Sequence, residues 1–324
     1  MQTNAWLFLF IQSPGMGIIA SMPKLLILSH NTDEYIKLLG QAELPKLEII
    51  TDPAECEIVL GEPGKIRNAL PHLPNLKWAQ SIYAGVEPLV APAQRRDYIL
   101  TNARGVFGEL MSEFVFGYLL LHEKKMLERI QSQQAKRWDD FDGGMLRGKT
   151  IGLLGVGSIG AHLAGTAKHF GMSVRGFTRA SEDCRDVDTY FHDPNILNFA
   201  NGLDYLVIVL PRTQGTNQIV DAKVLNALPS HTLIINVGRG NAVDESALVE
   251  ALTQNKIAGA VLDVTDQEPL PVEHPFWMTP NLLLTFHTSA ISYPEDITKL
   301  FIENYRLYIE GKPLKYQVDF ERGY

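Results

Sequence analysis

The sequence predicts an α/β protein built on doubly wound parallel sheets, and three observations carry that expectation. Short apolar runs alternate with stretches of helical periodicity, the rhythm of a parallel sheet covered on both faces. One run, residues 151–154, feeds straight into Gly155-Val156-Gly157-Ser158-Ile159-Gly160; a helical pattern (Leu163, Ala167, Phe170) and a second run, 174–177, follow. The 324 residues are also enough for two cores. The region before residue 105 repeats the alternation without a glycine fingerprint, which makes it a separate small α/β domain.

Taken in order, residues 1–21 read as an extension outside the fold, with Met22 as the expected start. The apolar run 6–11 is too short to span a bilayer, and the first basic residue, Lys24, comes too late for a secretion signal. Strands are expected at 24–28, 47–50, 57–60, 77–80 and 98–101, with a helix at 33–39. Just past the fourth strand comes Ser81-Ile82-Tyr83-Ala84-Gly85-Val86, at a carboxyl strand end, where ligands bind in such sheets. Residues 108–130 read as one long helix, its apolar face (Phe114, Tyr118, Leu121, Leu127) wide enough to pack between domains or subunits. Beyond the glycine turn, strands at 205–210, 232–236, 258–264 and 282–285 bring the second sheet to about six strands. Helices at 221–228 and 244–254 separate them, the latter capped by Asp244. A last helix, 294–310, ends at Gly311 and Pro313.

Charge and cysteine content narrow the functional classes. A net charge of −8 without basic runs argues against nucleic acid as partner. Two cysteines, Cys56 and Cys184, with no ligand cluster around them, predict neither a metal site nor a disulfide framework. No membrane association is expected, and a reducing cytoplasm fits the cysteine usage.

The glycine turn carries the first chemical assignment. Gly155 permits the tight turn, Gly157 lets backbone approach a ligand, and Gly160 lets the helix lie close on the strand. With Ser158 and Ile159 opening the helix, the unit places a dinucleotide pyrophosphate on a helix N-terminus. Three reactive side chains then stand just past later strands: Arg239 in Asn236-Val237-Gly238-Arg239-Gly240, Glu268 in Asp263-Val264-Thr265-Asp266-Gln267-Glu268-Pro269-Leu270, and His287 in Phe286-His287-Thr288-Ser289. Consecutive strand ends converge on one rim of a parallel sheet, so these three are expected to meet beside the cofactor.

The ordered set GVGSIG, VGRG, DVxxxEPL and FHTSA resembles the D-isomer-specific 2-hydroxyacid dehydrogenases, most of all their glyoxylate/hydroxypyruvate reductases. The resemblance implies two Rossmann-like domains, with the dinucleotide-binding one (105–287) inserted into a substrate, or catalytic, domain (22–104 and 288–324). It implies that Arg239 binds the substrate carboxylate and carbonyl, that His287 is the acid/base, and that Glu268 orients it. Ala84, Gly85 and Val86 would present backbone to the carboxylate, with Tyr83 beside the substrate. Leu210, Pro211, Thr216, Val237 and Gly238 would line the cofactor, Asp263 would meet the nicotinamide amide, and the helix after Gly108 would build a homodimer.

These residue types suit reduction of a small 2-keto acid: an arginine fork for the carboxylate and a histidine, charged beside a carboxylate, to deliver a proton. The sequence departs from the family at Phe286, where proline is common, and at the end of the second strand. There Thr178 stands where an NAD enzyme has an acidic residue, and Arg179 is placed to meet a 2′-phosphate, so NADP is favoured over NAD. Two alternatives use the same sequence: a corepressor-like interaction protein that senses the dinucleotide, and an NAD-linked D-2-hydroxyacid dehydrogenase.

Overall fold

A computed structural model describes residues 22–324; the expected extension 1–21 lies outside the described residues. The chain forms two compact units. Of the described residues, the first comprises 22–83 together with Ala91–Ala103 and Pro294–Val318; the second comprises Ala84–Val90, Arg104–Tyr293 and Asp319–Tyr324. The chain therefore crosses between units at 83/84, 90/91, 103/104, 293/294 and 318/319, more often than a simple insertion at 105–287 requires.

The first unit holds five parallel strands, β1 (Lys24–Leu28), β2 (Glu48–Ile50), β3 (Ile58–Gly61), β4 (Trp78–Ser81) and β5 (Ile99–Thr101), in the order β2-β1-β3-β4-β5. Strands β3 and β4 are buried throughout; β3 is continuously apolar, and β4 buries Gln80 and Ser81 with their side chains hydrogen-bonded. Trp78 is fully buried and stacks on Phe301 of the helix Pro294–Ile309, with ring centroids 5.1 Å apart. Where the strand order reverses, between β1 and β3, the buried Glu62 carboxylate accepts from the His30 backbone N–H and bonds His30 Nδ1, both at 2.8 Å.

The second unit holds seven parallel strands: β6 (Thr150–Leu154), β7 (Ser173–Phe177), β8 (Thr189–Phe191), β9 (Tyr205–Ile208), β10 (Leu233–Asn236), β11 (Gly259–Leu262) and β12 (Leu282–Leu284). Their order, β12-β11-β10-β9-β6-β7-β8, is the doubly wound arrangement with its switch point between β6 and β9. β8 adds an edge strand to the six expected; three residues are too few to show alternation in sequence.

The single helix expected at 108–130 is two, Gly108–Glu123 and Met126–Gln134, broken at Lys125 with φ 48°. Glu123 is the reason. Its buried carboxylate is held by Lys149 Nζ (2.7 Å) and the Tyr205 hydroxyl, while its carbonyl accepts from Gly144 N at 2.7 Å. Asp244 caps the helix Glu245–Thr253 as expected, accepting from Ala247 N at 3.0 Å. Among the described residues no helix is long and apolar enough to cross a membrane.

Candidate active site

The glycine turn lies at the carboxyl end of β6, beside the switch point. Gly155 takes φ +99°, where a side chain would be strained. A methyl group on Gly160 would stand 2.2 Å from the Gly155 carbonyl oxygen, so the helix Ser158–His169 sits on the turn as closely as backbone allows. Gly157 is the residue before that helix, and a methyl group there would meet only the Arg104 guanidinium, at 3.8 Å. An open glycine, the unpaired first N–H groups of Ser158 and Ile159, and a nearby arginine form a cradle that suits a pyrophosphate. Arg104 is unremarkable in sequence; only the fold brings it to the turn.

At the end of β7 the Thr178 hydroxyl donates to the Ser181 carbonyl at 2.7 Å, and Arg179 is exposed. The nearest following carboxylate, Glu182, is held by His192 Nε2 at 2.8 Å. The Glu182 interaction, helped by the Thr178 carbonyl, raises the pKa of His192.

After β9, Leu210 packs against both glycine turns: its Cδ2 would lie 3.2 Å from a methyl on Gly155, and its backbone 2.7 Å from one on Gly238. Pro211 accepts from the Thr216 hydroxyl at 2.8 Å, and Thr213 N donates to the same hydroxyl at 2.9 Å, so Thr216 holds its own loop together. After β10 the buried Asn236 amide shapes the next turn, accepting from Gly238 N at 3.0 Å and donating to the Arg239 carbonyl at 3.1 Å. An asparagine closing an otherwise apolar strand was the available signal. Val237 is buried beneath the turn. A methyl on Gly240 would fall 1.9 Å from the Thr265 carbonyl carbon, so this turn lies directly on the loop carrying Glu268.

Arg239 donates from Nε to Glu87 Oε1 at 2.6 Å and from Nη1 to the Gly238 carbonyl at 2.8 Å. A methyl on Gly85 would overlap Arg239 Nη2, so the fork rests on that glycine. Glu87 carries no signal in the sequence, because nothing there links positions 152 residues apart. Burial pushes the Glu87 pKa upward, but the charge and hydrogen bond of Arg239 outweigh it and hold the carboxyl below its usual range. Ala84, Gly85 and the buried Val86 belong to the same compact unit as Arg239, whereas Tyr83 belongs to the other, its carbonyl accepting from Ala103 N.

Glu268 and His287 meet at the ends of the neighbouring strands β11 and β12. Glu268 Oε2 accepts from His287 Nδ1 at 2.7 Å, and Oε1 accepts from Thr265 N at 3.0 Å. The Glu268 hydrogen bond raises the His287 pKa against an opposing desolvation. Burial alone would raise Glu268, but the bonds from His287 and Thr265 N bring it below the usual carboxylate range. Arg239 acts on both charges.

Asp263 is 2 % exposed, and its carboxylate turns to the His287 loop: Oδ1 accepts from the Thr285 hydroxyl (2.7 Å) and Thr288 N (2.8 Å), Oδ2 from Ser289 N (3.1 Å). Its carbonyl accepts from His287 N at 2.6 Å. These bonds hold Phe286 and His287 in consecutive left-handed conformations, both at φ 58°. Proline, fixed near φ −65°, cannot take the place of Phe286 in this backbone. The Phe286 ring instead stacks on Trp277 with centroids 5.9 Å apart. Among the described residues no cluster of potential metal ligands occurs.

Comparison with known proteins places this geometry in a family. Residues 116–289 match the NAD-binding domain of the D-isomer specific 2-hydroxyacid dehydrogenases. A glyoxylate/hydroxypyruvate reductase A of Klebsiella pneumoniae is 28% identical over 256 residues, covering 77% of this chain and 82% of the relative. A crystal structure of a family protein from Aeromonas salmonicida superposes with a TM-score of 0.88 at 40% identity, over 93% of this chain and 100% of that one. A D-isomer specific 2-hydroxyacid dehydrogenase from Xanthobacter autotrophicus Py2, crystallised with NADPH and MES, gives 0.86 at 30% identity over 94% and 100%. This chain belongs to the D-isomer specific 2-hydroxyacid dehydrogenases, oxidoreductases that act on a CH–OH group with a nicotinamide dinucleotide.

Proposed function

We propose that the chain is an NADPH-dependent reductase of small 2-keto acids such as glyoxylate and hydroxypyruvate, giving D-2-hydroxy acids where the product is chiral. The observation that carries this reading is the 2.7 Å Glu268–His287 bond, with Arg239 near enough to act on both charges. With Nδ1 engaged by Glu268, Nε2 of protonated His287 is the donor for the substrate carbonyl oxygen. Glu268 holds the ring and stabilises its charge, and the proton leaves Nε2 as the alkoxide forms. Arg239 receives the substrate carboxylate and carbonyl on the N–H groups not taken by Glu87 and Gly238, helped by backbone at Ala84, Gly85 and Val86.

Gly155, Gly157, Ser158, Ile159 and Gly160 would hold the pyrophosphate, with Leu210, Pro211, Thr216, Val237, Gly238 and Asp263 along the rest of the dinucleotide. The dinucleotide, when bound, supplies the hydride. The exposed Arg179 with Thr178 beside it favours NADPH, the cofactor held by the Xanthobacter relative. We assign a homodimer through the helix Met126–Gln134, where Met126, Leu127 and Ile130 stand exposed, and a cytoplasmic location, in keeping with the free thiols Cys56 and Cys184.

The test is oxidation of NADPH and NADH, followed by absorbance, with glyoxylate and hydroxypyruvate, beside His287→Ala. NADPH-preferring turnover that falls about a thousandfold in the variant is expected. Turnover untouched by the substitution overturns the assignment of His287, and inactivity on both acids overturns the substrate class.

A further inference from the structure

The segment Asp319–Tyr324 belongs to the same compact unit as the glycine turn, although the residues before it, as far back as Pro294, belong to the other. It is a tight self-bonded turn. The Asp319 carboxylate accepts from Glu321 N (2.8 Å) and Arg322 N (3.2 Å) and pairs with Arg322 Nε. The Asp319 carbonyl accepts from Gly323 N at 2.8 Å, and Asp319 N donates to the Tyr324 carbonyl at 3.3 Å. Gly323 takes φ +80°, a conformation that a side chain would resist. The turn brings the Tyr324 ring over Arg179, whose guanidinium carbon lies 5.2 Å from the ring centroid.

We propose that Tyr324 is a positioning residue for Arg179 and thereby a determinant of preference for the 2′-phosphorylated dinucleotide. The inference rests on the reading of Arg179 as the 2′-phosphate partner. An exposed arginine carries considerable rotamer freedom, and ordering it when a ligand arrives weakens binding. A ring packed beneath the guanidinium restricts that freedom beforehand and takes up none of its N–H groups in a hydrogen bond to a side-chain oxygen, leaving them for two parallel bonds to a phosphate. The next two carboxylates in the chain are already engaged, Glu182 with His192 and Asp183 with the Ser181 hydroxyl at 2.9 Å. The aromatic contact therefore favours the phosphorylated cofactor selectively, because NADH offers Arg179 no phosphate at that position.

The experiment is a fluorescence titration of NADPH and of NADH into the full chain and into Tyr324→Ala, Tyr324→Phe, Arg179→Ala and the double variant Arg179→Ala/Tyr324→Ala. Tyr324→Ala is expected to weaken NADPH about three- to fivefold, the scale of an exposed cation–π contact, while NADH stays within about twofold. Tyr324→Phe, which keeps the ring, should bind as the parent does. The double variant should bind NADPH no more weakly than Arg179→Ala alone. Equal weakening of both dinucleotides by Tyr324→Ala, or additive losses in the double variant, overturns the positioning role while leaving the NADPH reading intact. NADPH binding unchanged in Arg179→Ala removes the 2′-phosphate reading itself, and the inference with it.

Discussion

The two sheets reach the same topological point and furnish it in opposite ways. Both are parallel and doubly wound, and both reverse strand order beside the strand that opens the unit, β1/β3 in one and β6/β9 in the other. In the second unit that point is cleared by Gly155, Gly157 and Gly160, and arginine lies near it. In the first, Glu62 occupies it, bonded to His30 and within 3.3 Å of Lys65 Nζ. A buried carboxylate there repels phosphate, and its own bonds use the backbone donors a ligand would need. Topology supplies the crevice; the side chains decide whether it is a site. A second contrast lies between two histidine–glutamate pairs that share the Nδ1-to-carboxylate geometry, His30–Glu62 at 2.8 Å and His287–Glu268 at 2.7 Å. Only the second has an arginine acting on both partners.

Substitutions sharpen these contrasts. The largest effect is expected from Gly160→Val, where the new side chain meets backbone 2.2 Å away: NADPH affinity should fall about a hundredfold by titration. Its counterpart Gly61→Ala, equally crowded at 2.4 Å from the Leu28 carbonyl, should lower the melting temperature and leave that affinity unchanged. Loss of cofactor binding in Gly61→Ala would break the comparison.

Next is Glu268→Gln, expected to reduce kcat for keto-acid reduction by about a hundredfold. The sign of its pH effect follows from the raised His287 pKa. With His287 as the proposed proton donor, the rate is expected to fall as pH rises through that pKa. Removing Glu268 removes its main cause and moves the falling limb to lower pH; an unmoved limb in a kcat–pH profile would assign that limb to another group.

Glu87→Ala should raise KM for the keto acid about tenfold with a smaller change in kcat, because Arg239 loses the anchor on Nε. Glu87→Gln, which keeps an acceptor, should recover most of that loss. The smallest effect belongs to Glu62→Gln: no change in turnover, and a melting temperature lower by about 2–4 °C at pH 7. The folded Glu62 pKa is depressed, its bonds to His30 and Lys65 outweighing desolvation. Its contribution is therefore present above the unfolded value and lost as pH falls through the folded one, so parent and variant should melt together well below about pH 4.

Much of this was legible in the sequence because it is written locally. The glycine spacing, the strand ends at Asn236 and Asp263 and the cap at Asp244 each depend on residues a few positions apart. What escaped depends on contacts across the chain. The helix expected at 108–130 breaks because Lys149 and Tyr205 take hold of Glu123. Glu87 reaches Arg239, Arg104 reaches the glycine turn and Tyr324 reaches Arg179 only once the fold is formed. Asp263 was visible as a strand-end acid, but its bonds to the loop of His287 were not, since no periodicity records which way a carboxylate turns.

That loop bears on how the site can be altered. Converting Phe286 to proline would require its φ to swing by about 120°, and the bonds from Asp263 to Thr285, Thr288 and Ser289 stand against such a swing. The loop that carries His287 is thus not interchangeable one residue at a time. Asp263 and residues 285–289 form a cassette, and a graft that puts proline at 286 would have to carry the whole of it.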